Sequence, residues 1–68
     1  MDNHVYKKIE ITGTSDKSCD DAVKNAISRV SESIYNLRWF EVIETRGTIN
    51  EGRIDRWQVT IKVGFTMN

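Results

Sequence analysis

Residues Trp57-Gln58-Val59-Thr60-Ile61-Lys62-Val63-Gly64-Phe65 decide the fold. Trp57, Val59, Ile61, Val63 and Phe65 share one parity, and Gln58, Thr60, Lys62 and Gly64 share the other. Period two marks a half-buried strand, and alternation this clean suits the middle of a sheet. Just upstream, Arg38 to Ile49 reads as a second strand. Phe40 and Val42 form its short apolar set, while Trp39, Glu41, Ile43 and Thr45 point the other way. Asn50, Glu51 and Gly52 join the two as hairpin residues. For Phe40 and Val42 to share a face with Val59, Ile61 and Val63, the numbers of paired residues must sum to 101 or 103. That requires an even-numbered loop or a bulge, because a three-residue loop would set Phe40 beside Lys62.

Further upstream, Ala22, Val23, Ala26, Ile27, Val30, Ile34 and Leu37 recur at helical steps and form one apolar stripe. Lys24, Asn25, Ser28, Arg29 and Glu32 occupy the opposite face. Ser18 followed by Asp21 resembles a capping box with Asp in place of Glu, and Asp20 and Asp21 suit the positive end of the helix dipole. A helix of about 18 residues, roughly 27 Å long, is expected. His4 to Thr12, with Val5, Ile9 and Ile11 on one parity, reads as a strand ending at Gly13. The chain is therefore α+β, in the order β-α-β-β, as a single domain over residues 1–68. The helix returns the chain so that the first two strands run parallel. An antiparallel three-stranded sheet then needs the order 1-3-2, with the last strand central and the helix on one face.

Sixty-eight residues make a small core. A chain this size buries only about 60% of its unfolded surface, and such domains usually add disulfides, a metal or self-association. Cys19 is the single cysteine; it cannot form an internal disulfide, and with His4 it falls short of a structural zinc set. Self-association is the remaining route. Ten basic side chains balance ten acidic ones, which argues against a general nucleic-acid binder. No apolar run approaches the roughly 20 residues of a membrane span, and no basic-then-apolar signal pattern opens the chain. A soluble cytoplasmic protein is expected.

One helix covers one sheet face. The other carries Trp39, Ile43, Gln58, Thr60 and Lys62, too polar for a core and too aromatic for plain solvent. Trp39 lies there because its neighbour Phe40 takes the core side. An indole so placed can anchor a subunit interface, stack on a flat ligand, or stay exposed. Gln58 shares the face, and its amide can both donate to and accept from the edge of a heteroaromatic ring. It is expected opposite Ile43 or Thr45, four to six positions from Trp39, or about 13–20 Å. Both could serve one small ring only if two copies of the chain built the site.

These residues also carry a family resemblance. Gly13-Thr14-Ser15, Leu37-Arg38-Trp39-Phe40-Glu41-Val42, Arg46-Gly47, Gln58-Val59-Thr60 and Lys62-Val63-Gly64-Phe65 resemble the dodecins, in order and over nearly the whole chain. The resemblance implies a hollow homo-dodecamer of small β-α-β-β subunits that binds flavin without being an enzyme. It implies that Trp39 stacks on the isoalloxazine ring, with flavins held in pairs between symmetry-related tryptophans, and that Gln58 bonds the ring's polar edge. Storage or sequestration of flavin and quenching of its photochemistry are implied by the same resemblance. Arg46 shares parity with Phe40 and Val42 but lies near the sheet end; a guanidinium there suits a phosphate and favours FMN over riboflavin, with a solvated or interface ion pair as the alternative.

Two positions depart from the bacterial dodecin pattern. Trp57 replaces the usual Tyr, Phe or His, as a larger core or rim residue. Thr66-Met67-Asn68 replaces a basic residue and an acidic tail, which weakens the case for coenzyme A, a second ligand of some bacterial members. Other signals point to structural roles. Cys19 sits at a helix start beside Asp20 and Asp21, with no base at hand. His4 is a terminal residue, and Gly13-Thr14-Ser15 is shorter than a phosphate loop. Glu41 and Glu44 differ in parity and cannot act as paired carboxylates; Glu41 suits intersubunit polar contacts. Arg53, Arg56 and Trp57 suggest a nucleic-acid stacking surface, opposed by the neutral charge balance. The alternatives to flavin binding are a ligand-free oligomeric scaffold, a coenzyme-binding assembly without flavin, and a small-molecule enzyme in a subunit cleft, for which no nucleophile or acid–base pair is identifiable.

Overall fold

In the computed structural model, which describes residues 3–67, strand β1 spans Tyr6–Ser15, helix α1 Cys19–Val30, strand β2 Leu37–Asn50 and strand β3 Arg53–Thr66. Asn68, the last of the three residues in which the C-terminus departs from the bacterial pattern, lies outside the described residues. The strands form one antiparallel sheet in the order β1-β3-β2, with β3 central. The expected topology is therefore the observed one.

The hairpin turn has two residues, Glu51 and Gly52, both with positive φ (52° and 75°). Such a turn matches the right-handed twist of its strands. It sets Asn50 opposite Arg53, and the register returns to the same sum of 103 at Phe40–Val63 and Val42–Ile61, as the parity argument required. Between these points the ladder shifts by one. Extra residues fall at Asp55 on β3 and at Ile43 and Arg38 on β2, and each bulge turns the next side chain to the other face.

β1 runs past its expected end, through Gly13 to Ser15. Gly13 continues the strand because it has no side chain: a Cβ there would overlap the Ala22 carbonyl and the Ala26 methyl, so glycine lets the helix lie directly on the strand. The helix start differs from a true capping box. The Ser18 hydroxyl accepts from the Asp21 amide at 3.0 Å. The shorter Asp21 carboxylate does not close the reciprocal bond; it accepts from the buried Ser15 hydroxyl at 2.7 Å. The Ser15 oxygen in turn takes the Lys17 amide at 2.9 Å.

Helix α1 has 12 residues rather than about 18. After Val30 the run Ser31-Glu32-Ser33 winds on as turns, with the Ile34 amide still bonded to the Val30 carbonyl. Ser31 bonds the Ser28 carbonyl at 2.8 Å, an alternative to helix that serine readily offers. Asn36 adopts φ 65° and turns the chain into β2, so Leu37 reaches the core from a strand and not from the helix.

A 12-residue helix is about 18 Å long, whereas 14-residue strands run about 47 Å. The helix packs mainly on β1 and β3. Ala22, Ala26, Val59, Ile61 and Val63 form the buried centre, flanked by Ile9, Ile11, Val23, Ile27 and Leu37. The helix-side face of β2 stays open, with Phe40 47% and Val42 51% exposed. Beyond the helix the hairpin projects as a bare arm. The radius of gyration is 14.2 Å and the long axis 54 Å, against about 11 Å for the radius of a compact chain this long. Among the described residues no helix is long and apolar enough to cross a membrane.

Candidate functional site

Trp39 owes its position to the Arg38 bulge. Without it Trp39 would follow Leu37 onto the helix side; with it, Trp39 pairs with Gly64 on the far face. The indole then lies over the Gly64 backbone, so closely that a Cβ on Gly64 would coincide with the six-membered ring of the indole. One face of the indole is thus set against a flat strand. The ring of Tyr6 meets it edge-on, with centroids 4.9 Å apart and planes at 68°, the T-shaped arrangement that aromatic quadrupoles favour. Trp39 as a whole remains 41% exposed.

The far face reads in cross-strand rows from this end. Lys8, Gly64 and Trp39 form one row; Glu10, Lys62 and Glu41 the next; then Thr12, Thr60 and Glu44; then Thr14, Gln58 and Arg46. Arg46 is a correction to the parity reading. The Ile43 bulge carries it off the helix-side face and sets it opposite Gln58, a place expected for Ile43 or Thr45. There the Arg46 Nε donates to the Gln58 Oε1 at 2.8 Å. This bond fixes the amide so that its NH2 group faces away from the guanidinium, leaving a defined donor and the outer edge of the guanidinium beside it.

The structure therefore joins Arg46 to Gln58 and keeps both apart from Trp39. Gly64 and Gln58 are six positions apart on β3, or about 20 Å. One chain presents an exposed indole at one end of the face and the Arg46–Gln58 pair at the other. A single small ring could touch both only where opposite ends of two copies meet.

The same bulge returns Glu44 to the face of Glu41, against the expected opposition of the two carboxylates. Glu41 accepts from Lys8 of its own chain at 3.2 Å, an exposed pair of small energetic weight. Among the described residues no three His, Cys, Asp or Glu side chains gather as a metal site. Trp57 lies on the helix side, half-buried, paired with Gly47. A Cβ on Gly47 would stand 3.7 Å from its ring, so Trp57 is a rim residue at the base of the arm. Gly13 and Ser15 shape the helix entry.

Tyr6 and Gly64 are the members of the site that the sequence pattern did not single out. The signal for Gly64 was present: a strand interior that loses its side chain opposite a tryptophan often marks close approach. Tyr6 had none, because its neighbour is set by pairing across the whole chain.

A profile of the Dodecin family matches residues 5–68. The chain is 43% identical over 63 residues to the dodecin of Thermus thermophilus, spanning 93% of this chain and 91% of that protein. It is 32% identical over 63 residues to the calcium dodecin of Mycobacterium tuberculosis, spanning 93% and 89%. The solved dodecin from Streptomyces davaonensis superposes with a TM-score of 0.95 at 49% identity, covering 98% of each chain.

Proposed function

This chain belongs to the dodecin family, and from that premise we propose that it is a non-enzymatic flavin-binding protein that stores or sequesters the cofactor as a hollow homo-dodecamer and quenches its photochemistry. The observation that carries the reading is the Trp39 indole laid on Gly64. A flat aromatic ring, backed by strand and in T-shaped contact with Tyr6, fits a planar heteroaromatic ring. Stacking in such pairs contributes about 0.5–1.5 kcal/mol beyond area burial, and a ring as large as isoalloxazine adds the area. A bound flavin would supply a ring whose excited state is a strong one-electron oxidant, and Trp39 would be the electron donor beside it.

Gln58, oriented by Arg46, donates its NH2 to a carbonyl on the polar edge of the ring. The outer edge of the Arg46 guanidinium is left for a phosphate, which favours FMN over riboflavin. The separation of Trp39 from the Arg46–Gln58 pair supports a site shared between subunits. So do the open Phe40 and Val42 on the helix side, which a further copy covers in the assembly.

The test is a titration of purified protein with FMN and with riboflavin, monitored by flavin emission. Binding quenches the emission, and Trp39→Ala abolishes the quenching while far-UV circular dichroism stays unchanged. A native protein that leaves the emission of both flavins untouched overturns the reading.

A further inference from the structure

We propose that Tyr6 is the electron donor that restores Trp39 after one-electron oxidation, so that the two rings form a relay from the stacking face to the rim of the sheet. The pairing of Tyr6 with Thr66 at the end of β1 brings its ring against Trp39, with centroids 4.9 Å apart. At that separation the rings touch, and an electron crosses without an intervening group. The indole has strand backbone beneath it and the phenol in T-shaped contact with it. Trp39 is 41% exposed, so an oxidant that reaches the indole leaves its hole there, with Tyr6 as the adjoining ring.

The direction follows from proton chemistry. A phenol that gives up its proton with the electron is oxidised slightly more easily at neutral pH than an indole. Tyr6 is 45% exposed, so water reaches it. The balance is complete. Trp39 gives one electron to the oxidant, which is a photoexcited heteroaromatic ring or a diffusing radical, and its indole N–H proton to water, leaving the neutral indolyl radical. Tyr6 then gives one electron to the indolyl radical and its hydroxyl proton to water, and water returns a proton to the indole nitrogen. Trp39 ends intact and the hole ends on the Tyr6 phenoxyl. The relay rests on the flavin reading only for the source of its oxidant, since any one-electron oxidant of indole starts it.

The sequence makes the test clean, because the chain has two tryptophans and two tyrosines. Trp57→Phe with Tyr35→Phe leaves Trp39 and Tyr6 as the single indole and phenol. Azide radical, generated by pulse radiolysis in flavin-free protein, oxidises the indole. The indolyl absorption should then decay in a first-order step, at a rate independent of protein concentration, as the phenoxyl absorption grows. Adding Tyr6→Phe should remove the growth and lengthen the indolyl lifetime at least tenfold. Equal indolyl lifetimes with and without Tyr6 overturn the relay. Should the double variant fold poorly, Tyr6→Phe and Tyr35→Phe are compared in the otherwise native chain. Loss of the slow phenoxyl growth in the first and its retention in the second support the relay; equal growth in both overturns it. Failure of flavin uptake leaves all these measurements intact, so the two readings fall separately.

Discussion

Trp39 rests on Gly64 across the β2–β3 ladder, and the strand can accept that indole because position 64 carries no side chain. This contact separates stability from binding at one residue. Gly64→Ala forces the indole aside, and the displaced atoms belong to the end of a side chain that can swing. The backbone of β3 need not move. Alanine also costs less unfolded-state entropy than glycine, by about 0.5–1 kcal/mol. The variant should therefore keep or slightly raise its melting temperature while its flavin affinity falls at least tenfold. Fluorescence titration and thermal denaturation of one sample measure both.

The Arg46–Gln58 bond gives Arg46 a positioning role besides any phosphate contact. Lysine keeps the charge but lacks the planar Nε–H that holds the amide. Arg46→Lys should thus weaken riboflavin and FMN alike, by several-fold, and retain any preference for FMN. Arg46→Ala should lose that preference as well. Dissociation constants for the two flavins across the two variants check this; a lysine variant with native riboflavin affinity would remove the positioning role.

Gly13 meets backbone where Gly64 meets a side chain. A methyl at position 13 would overlap the Ala22 carbonyl, and only withdrawal of the whole helix relieves it. Gly13→Ala should destabilise the fold by about 3 kcal/mol, the upper part of the usual range for overpacking, as read from the urea midpoint.

Ser18 holds the first turn of α1 through the Asp21 amide. Ser18→Ala should cost about 1 kcal/mol and lower the melting temperature by about 4–8 °C at fixed protein concentration. Flavin binding should be unaffected, since the cap lies on the helix side of the sheet.

Phe40 and Val42 stand open beside Val23 and Ile27 because α1 does not reach β2. Phe40→Asp should reduce the assembly to smaller species in size-exclusion chromatography with light scattering, with far-UV circular dichroism retained. A dodecamer that survives the aspartate would place the subunit contacts elsewhere.

Local pattern was sufficient for the architecture. The alternation from Trp57 to Phe65 identified the central strand, and the Ala22–Val30 stripe identified the helix and its buried side. Parity across the hairpin then required the odd register sum that Phe40–Val63 and Val42–Ile61 display. It also placed Trp39 on the far face, correctly. Extension of the helix to Leu37 failed because periodicity cannot tell a helix from a turn leading into a strand when Ser31, Ser33 and Asn36 provide hydrogen bonds and a left-handed residue between them.

The sequence alone determined the element order, the 1-3-2 sheet and the helix-facing core, because each rests on the repeat of side chains along a strand or helix; the resemblance to the dodecins rested instead on motif blocks such as Leu37–Val42 and Gln58-Val59-Thr60. Only the tertiary structure decided which neighbours Arg46, Glu44 and Tyr6 have. Bulges at Arg38, Ile43 and Asp55 each reverse the parity of the strand residues beyond them, and a bulge arises from the fit of two twisted strands rather than from the pattern of either. That is why Arg46 belongs with Gln58, and why the Trp39 indole lies on the face where it meets the phenol of Tyr6.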